Sequence, residues 1–236
     1  AEVMLSAPAR YHVRGMAINI VTKDYAGTHQ LSGQIIGGMQ QSKYAEGFCN
    51  LYLSMQRGKF GLDAQYKFVD GNSYRESSHI ANHPLVNSRA SYHDKTWKKS
   101  SGLSHDYRLG MNYAFGKNHR LDIAYTGKWD KTSSNNHTTG SSISGMHSDS
   151  HEYLHNVDVN YSLPFGLAVS ASYTNYRTPQ QQTLDGTMHT DGSTAATERN
   201  QTSDSRQTIS KWMFAADQTH SLAHGWGLSY GVNGQF

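Results

Sequence analysis

Apolar and polar residues alternate along a hairpin over residues 151–178, and the same pattern recurs through the chain. The first arm carries apolar residues at every second position from Val157 to Leu163, and the second arm does so from Leu167 to Tyr173. This period of two places the apolar side chains on one face of each strand. Only a Pro-Phe-Gly tripeptide separates the arms, so we expect them to pair antiparallel through a tight turn.

Repetition of the pattern predicts about nine strands, each of roughly 10–14 residues, a length suited to a tilted membrane crossing. Short turns alternate with three polar segments, residues 70–102, 131–150 and 179–205, which are predicted to be long loops. Outer-membrane barrels have short periplasmic turns and long outer loops. The predicted fold is therefore an all-β, antiparallel up-and-down transmembrane β-barrel. The stretches that mark the expected strands are residues 29–40, 44–56, 60–68, 107–115, 121–129, 157–163, 167–174, 206–221 and 226–236.

Composition narrows the class of protein. Hydrophobic residues make up 36% of the chain and the mean hydropathy is -0.69, yet aromatic residues reach 11%. A disordered chain is normally poor in aromatic residues, whereas a membrane barrel combines aromatic strands with polar lumen and loop residues. No apolar run approaches the roughly 18–20 residues of a membrane helix. A single cysteine excludes an internal disulfide, and a dispersed net charge of +3 gives no nucleic-acid stripe.

Residues 7–11 read Ala-Pro-Ala-Arg-Tyr, and residues 15–23 read Gly-Met-Ala-Ile-Asn-Ile-Val-Thr-Lys. With the strands that follow, up to about residue 69, they resemble the plug–barrel junction of the outer-membrane β-barrel family related to TonB-dependent receptors. The resemblance implies that residues 1–27 end a plug domain. It also implies that residues 28–236 form the N-terminal part of a larger barrel, with a strand over residues 16–23 closing the plug.

Energy-coupled uptake of a large, scarce nutrient across the cell outer membrane of a Gram-negative-type bacterium is the function that this resemblance implies. The implied partners are the chain's own plug domain, the TonB complex reached through an N-terminal region outside this sequence, and an unknown nutrient ligand. Outer-membrane lipid and lipopolysaccharide would surround the wall. No enzymatic activity, cofactor, metal or nucleic-acid partner is expected.

Two alternatives remain open. One is a complete small outer-membrane barrel of about eight to ten strands with a structural, adhesive or surface-enzyme role. The other is a soluble all-β binding domain, which would fold without detergent and would lack an apolar outer band.

Charged residues on the polar side of the predicted strands are the candidate functional residues. We expect them to line the lumen or to contact a plug, where side chains tune selectivity. They are Asp63, Lys67, Arg108, Asp122 and Asp158.

Histidine and carboxylate residues between His147 and Glu152 could in principle bind a metal or act as a base. Polar surface segments collect such residues without function, however, and no compact metal motif occurs among them. Aromatic residues near the strand ends are expected to form interfacial girdles. These are Tyr44, Phe68, Phe115, Trp129, Tyr161, Phe165 and Trp226.

Overall fold

A computed structural model describes residues 2–4, 17–19, 29–84, 89–189, 196–221 and 227–236. The regular elements of this part of the chain are all β-strands. None of these residues forms a helix that is long and apolar enough to cross a membrane. The strands are β1 (Glu2–Met4), β2 (Ala17–Asn19), β3 (His29–Gln41), β4 (Ala45–Arg57), β5 (Phe60–Pro84), β6 (Arg89–Gly116), β7 (His119–Gly140), β8 (Ser142–Ser162), β9 (Leu167–His189), β10 (Ala196–Ser221) and β11 (Gly227–Gln235).

Strands β3 to β11 form one sheet in which each strand pairs antiparallel with its neighbours in the sequence. The prediction of nine antiparallel up-and-down strands is therefore confirmed. Within the described ranges, β3 and β11 are the two edges of the sheet and do not pair with each other. Strands β1 and β2 form a separate pair with Val3 opposite Ile18. The remainder of the strand expected over residues 16–23 lies outside the described residues.

Three of the predicted short turns are confirmed, and each contains a residue with a positive φ angle. These residues are Gly58 at 59°, Asn118 at 55° and Gly166 at 86°. Glycine and asparagine are the residues that tolerate this conformation best, which explains why these tight hairpins close where they do. The turn predicted over residues 223–225 lies outside the described residues.

The three predicted long loops are wrong. Residues 70–84 and 89–102 extend β5 and β6, while residues 131–140 and 142–150 extend β7 and β8 around a bend at Ser141. Residues 179–189 and 196–205 likewise belong to β9 and β10. Strands β5 to β10 are consequently 21 to 28 residues long, well beyond the expected length.

Neither face of these extensions packs against a second layer of the described chain, which explains why alternation did not reveal them. A strand without such a layer needs no apolar face, so its sequence carries no period of two. Its stability comes from the backbone ladder and from cross-strand side-chain pairs. One such pair is Thr96 with Thr138, whose hydroxyl oxygens lie 2.9 Å apart.

The sheet is a single layer without a hydrophobic core. No side chain among the described residues is both large and fully buried. The accessible surface is 16777 Å², whereas a compact monomer of 26.3 kDa is expected to expose about 10,600 Å². The apolar side chains of the sheet therefore require a covering that the described chain does not supply.

We predict that Gly166→Ala destabilises the β8–β9 hairpin by about 1–3 kcal/mol. Gly166 has a positive φ angle, and a Cβ atom there would overlap the backbone oxygen of Thr219. Gly145→Ala is the matched control because a Cβ at that position meets no atom within 4 Å. Urea unfolding in detergent micelles, followed by circular dichroism, measures both effects. Equal stabilities of the two variants would contradict this role of the turn.

Candidate functional site

A continuous band of apolar side chains, here called the apolar band, covers one face of the nine-stranded sheet. Residues directly opposite each other in an antiparallel ladder present their side chains on the same face. On β5 the band extends from Phe60 to Phe68, a distance of about 27 Å along the strand. Its side chains are accessible to different extents, from 76% for Ile35 on the edge strand β3 to 51% for Leu109 and 38% for Val157 on interior strands. One cross-strand row of the band consists of Leu62, Met111, Ile123, Val159, Ala171 and Phe214.

The apolar band crosses the strands obliquely. On β3 it is centred near Ile35, whereas on β11 it is centred near Val232. The pairing register connects Val232 through every intervening strand to His29, six residues from Ile35. A displacement of six residues along the strands over eight strand spacings inclines the band by about 30° from the direction perpendicular to the strands. Strands of membrane barrels are inclined by about 35–45°, so the obliquity resembles that of a barrel wall.

Aromatic and histidine side chains mark the margin of the band that lies away from the short turns, here called the distal margin. The ring of His105 lies between Phe68 and Trp129, with centroid distances of 5.2 and 5.0 Å. Its Nδ1 lies 2.6 Å from the hydroxyl of Tyr66. A hydrogen bond of this kind satisfies a polar ring atom next to apolar neighbours.

The opposite margin, next to the short turns, has the same chemistry. His119 Nε2 lies 2.6 Å from the hydroxyl of Tyr161, and the His119 ring stacks on Phe115 at 4.6 Å. Of the seven aromatic residues predicted for the girdles, Phe68 and Trp129 therefore lie at the distal margin and Phe115 and Tyr161 at the turn margin.

The other three girdle residues differ from that arrangement. Tyr44 lies farther out, 6.4 Å from Tyr74. Phe165 lies in the β8–β9 turn and is 62% exposed. Trp226 is outside the described residues. Four of the seven predicted aromatic residues therefore lie at the two margins, where His105 and His119 contact them.

All five charged candidate residues lie on the face opposite the apolar band, here called the polar face. Asp63 Oδ2 accepts a hydrogen bond from Arg108 Nε at 3.3 Å. Asp122 Oδ1 lies 2.7 Å from Arg120 Nη2. Each of these carboxylates therefore shares the face with a neighbouring cation.

The other two candidates lie elsewhere on the same face. Asp158 accepts a hydrogen bond from the side-chain amide of Asn156, and Lys67 lies opposite Asp106 across the β5–β6 ladder. The polar face of β5–β8 therefore carries both carboxylates and cations. Its contact with a lumen or a plug stays a prediction.

Further charged residues of the polar face were not among the five candidates. Lys128 Nζ and Glu152 Oε2 form an ion pair at 3.0 Å across β7 and β8, and Arg120 pairs with Asp122. Extending the alternation of β8 back from Val157 to Glu152 would have placed Glu152 on the same face as Lys128. Lys67, Arg108 and Lys128 also line a shallow depression of about 290 Å³ on this face.

The histidine and carboxylate cluster around residues 147–152 is divided between the two faces. His147 Nε2 lies 2.8 Å from Asp149 Oδ2, and its Nδ1 lies 2.7 Å from Asn135 Oδ1. Glu152 lies on the opposite face, in its pair with Lys128. No group of three histidine, cysteine or carboxylate residues in the described ranges is arranged to hold a metal ion.

No protein-family model and no curated protein matches the chain. The two faces of the sheet therefore provide the structural evidence on function.

We predict a small pH-dependent stabilisation at Asp149, which lies beyond the distal margin. A hydrogen bond from Ser133, and then one from His147, lowers the pKa of the Asp149 carboxyl below its usual value of 3.8. A lowered folded-state pKa stabilises the fold above the unfolded value and loses that effect as the pH falls through the folded pKa.

Because Asp149 is largely exposed, we expect Asp149→Asn to cost no more than about 0.5 kcal/mol at neutral pH. The cost should vanish once the pH is below the folded-state pKa. Hydrogen exchange of the β7–β8 amides as a function of pH measures it. A cost that persists in acid would show that the carboxylate charge is not its source.

Proposed function

We propose that this chain forms part of the wall of an outer-membrane β-barrel that acts as a TonB-dependent-receptor-like transporter for a large, scarce nutrient. The observation that carries the proposal is the apolar band, which is continuous across nine strands, open to its surroundings and opposite a charged face. Such a wall has lipid on one side and an aqueous lumen on the other.

The free energy of the band favours a lipid covering. A fully exposed leucine or isoleucine side chain costs about 1.5–3 kcal/mol relative to a buried one. Leu31, Ile35 and Met39 on the edge strand β3 are between 71% and 79% exposed, and band residues of interior strands such as Leu109 and Met111 are still 51% and 44% exposed. A bilayer offers an apolar covering of matching height, since the outward apolar band of membrane barrels is about 25 Å tall.

The polar face supports an aqueous lumen. Lumen-facing residues of barrels are polar and tune selectivity, and here they are alternating carboxylates and cations such as Asp63 and Arg108. A plug inside the barrel would meet these charges, together with the depression lined by Lys67 and Lys128. The uptake step itself is inferred from the junction-like residues 7–23.

A surface protein built on a small barrel is the second candidate, favoured by the length of β5–β10. Beyond the distal margin β6 continues from His105 to Arg89, a further 50 Å or so. A polar sheet that extends this far from the band, wetted on both faces, is a suitable platform for adhesion.

We predict that Leu109→Lys impairs membrane insertion. Leu109 lies in the middle of the apolar band and is 51% exposed. A lysine at the bilayer midplane costs about 2–4 kcal/mol on the lipid face of a barrel. In a soluble protein the same exchange would remove exposed apolar surface at little cost. The measurement is the fraction of protein that floats with phosphatidylcholine vesicles in a density gradient.

Gln65→Lys is the matched control, because Gln65 lies on the polar face of the neighbouring strand, opposite Arg108. We expect Gln65→Lys to float like the unmodified protein and Leu109→Lys to float less. Equal flotation of the two variants would contradict the lipid-facing assignment of the band.

The two candidate functions differ in the size of the native protein. In an immunoblot of outer-membrane fractions, a receptor-sized transporter predicts a band several times larger than 26.3 kDa. A band near 26.3 kDa would favour the small surface barrel instead.

A further inference from the structure

Three cationic side chains lie together at the distal margin of the apolar band, on the same face as the band. Lys131 follows Trp129 by two residues in β7, while Arg177 lies opposite Tyr153 across the β8–β9 ladder. Arg206 lies in β10 opposite Pro179. Pro179 in turn is two residues from Arg177 in β9. All three side chains are exposed, so their long, flexible arms can reach a common point above the sheet.

The backbone ladder is interrupted at the centre of this cluster. Regular pairing of β8 with β9 stops after Ser150 and resumes at Tyr153. Pro179 faces the gap, and a proline has no N–H to donate to a neighbouring strand. The hydroxyl of Thr178 instead donates to the backbone oxygen of His151 at 2.9 Å.

An unsatisfied polar atom accompanies the interruption. His151 lies opposite Lys131, and its Nδ1 is buried with no hydrogen-bond partner among the described residues. Buried polar atoms without a partner are rare in folded proteins and cost about 1–3 kcal/mol. A proline within an interior strand and an unpartnered ring nitrogen thus coincide with the three cations.

The cations of the cluster differ from three cations of the polar face in their partners. Arg108, Arg120 and Lys128 each pair with a carboxylate. In the described part of the chain no ion pair involves Lys131, Arg177 or Arg206.

Two carboxylates lie on the cluster's face one row farther out, Asp149 and Asp204. Asp149 is bound to His147 and also feels the charge of Lys131. The three cations nevertheless outnumber these carboxylates, and they lie nearer to the apolar band.

We propose that Lys131, Arg177 and Arg206 bind the phosphate of an anionic lipid headgroup, one without a cation of its own, at the distal margin of the band. This inference rests on the proposed membrane function, since it takes the band as the lipid-facing surface. A phosphate at the bilayer surface complements three unpaired cations, and arginine binds phosphate oxygens in a bidentate manner. Trp129 and Tyr153, beneath the cations, are residue types that favour this interfacial depth.

The test compares two short-chain lipids, dilauroyl phosphatidic acid and dilauroyl phosphatidylcholine, added to the purified protein in neutral detergent micelles. Native mass spectrometry reports the lipid retained at each concentration. We expect the unmodified protein to retain phosphatidic acid in preference. We expect the variant carrying Lys131→Gln, Arg177→Gln and Arg206→Gln to bind phosphatidic acid on the order of 100-fold more weakly, at about a tenfold loss for every 1.4 kcal/mol.

The matched control carries Lys98→Gln, Arg199→Gln and Lys211→Gln, which remove the same charge from the polar face. It should bind phosphatidic acid like the unmodified protein. If both triple variants bound phosphatidic acid equally weakly, the loss would be due to net charge alone, and the proposed site would be overturned. Displacement of phosphatidic acid by a similar concentration of inorganic phosphate would overturn the assignment to a lipid.

Insertion into pure phosphatidylcholine vesicles separates this inference from the proposed function. The triple variant of the cluster should insert like the unmodified protein, because the apolar band is unchanged. An unmodified protein that inserts but retains both lipids equally overturns the phosphate site alone. Failure of the unmodified protein to insert overturns the membrane function and the site with it.

Discussion

Apolar side chains on one face of a single-layer sheet have nothing within that sheet to bury them. The antiparallel ladders satisfy the backbone of β3–β11 strand by strand, but each ladder only sets the apolar side chains beside one another. The nine strands therefore hold together through backbone pairing and lateral contacts, while the outer surface of the band stays uncovered. The oblique course of the band, its two aromatic margins and the charged opposite face are all consistent with an apolar covering on one side and water on the other.

The distribution of charge follows from the same division. On the polar face, cations and carboxylates occupy diagonal cross-strand positions that are within reach of long side chains, and opposite charges at such positions stabilise a sheet. Asp63 with Arg108 and Lys128 with Glu152 are examples. Within the apolar band itself, tyrosine–histidine hydrogen bonds replace ion pairs. Tyr66 with His105 illustrates how a polar ring is hydrogen-bonded beside apolar groups.

Sequence alternation predicted the strands wherever the band passes, because only there does one face have to be apolar. Phe60 to Phe68 was recognisable for that reason, as were the three turns that contain Gly58, Asn118 and Gly166. The same reasoning failed at residues 131–150, since a polar strand such as the one containing Asn135 needs no apolar alternation where no second layer packs against it. The five charged candidates were placed on the polar face by parity alone, whereas Glu152, the partner of Lys128, was missed because β8 begins earlier than alternation indicated.

The central claim is that the face bearing the apolar band contacts lipid, and adjacent residues on opposite faces of β4 test it most directly. Cys49 is the only cysteine, so Cys49→Ser provides a background for Leu53→Cys in the band and Ser54→Cys on the polar face. Each variant carries a fluorophore on its cysteine in phosphatidylcholine vesicles. We expect brominated lipid to quench the label at position 53 and aqueous iodide to quench the label at position 54. Quenching of both labels by iodide, with none by brominated lipid, would contradict the account.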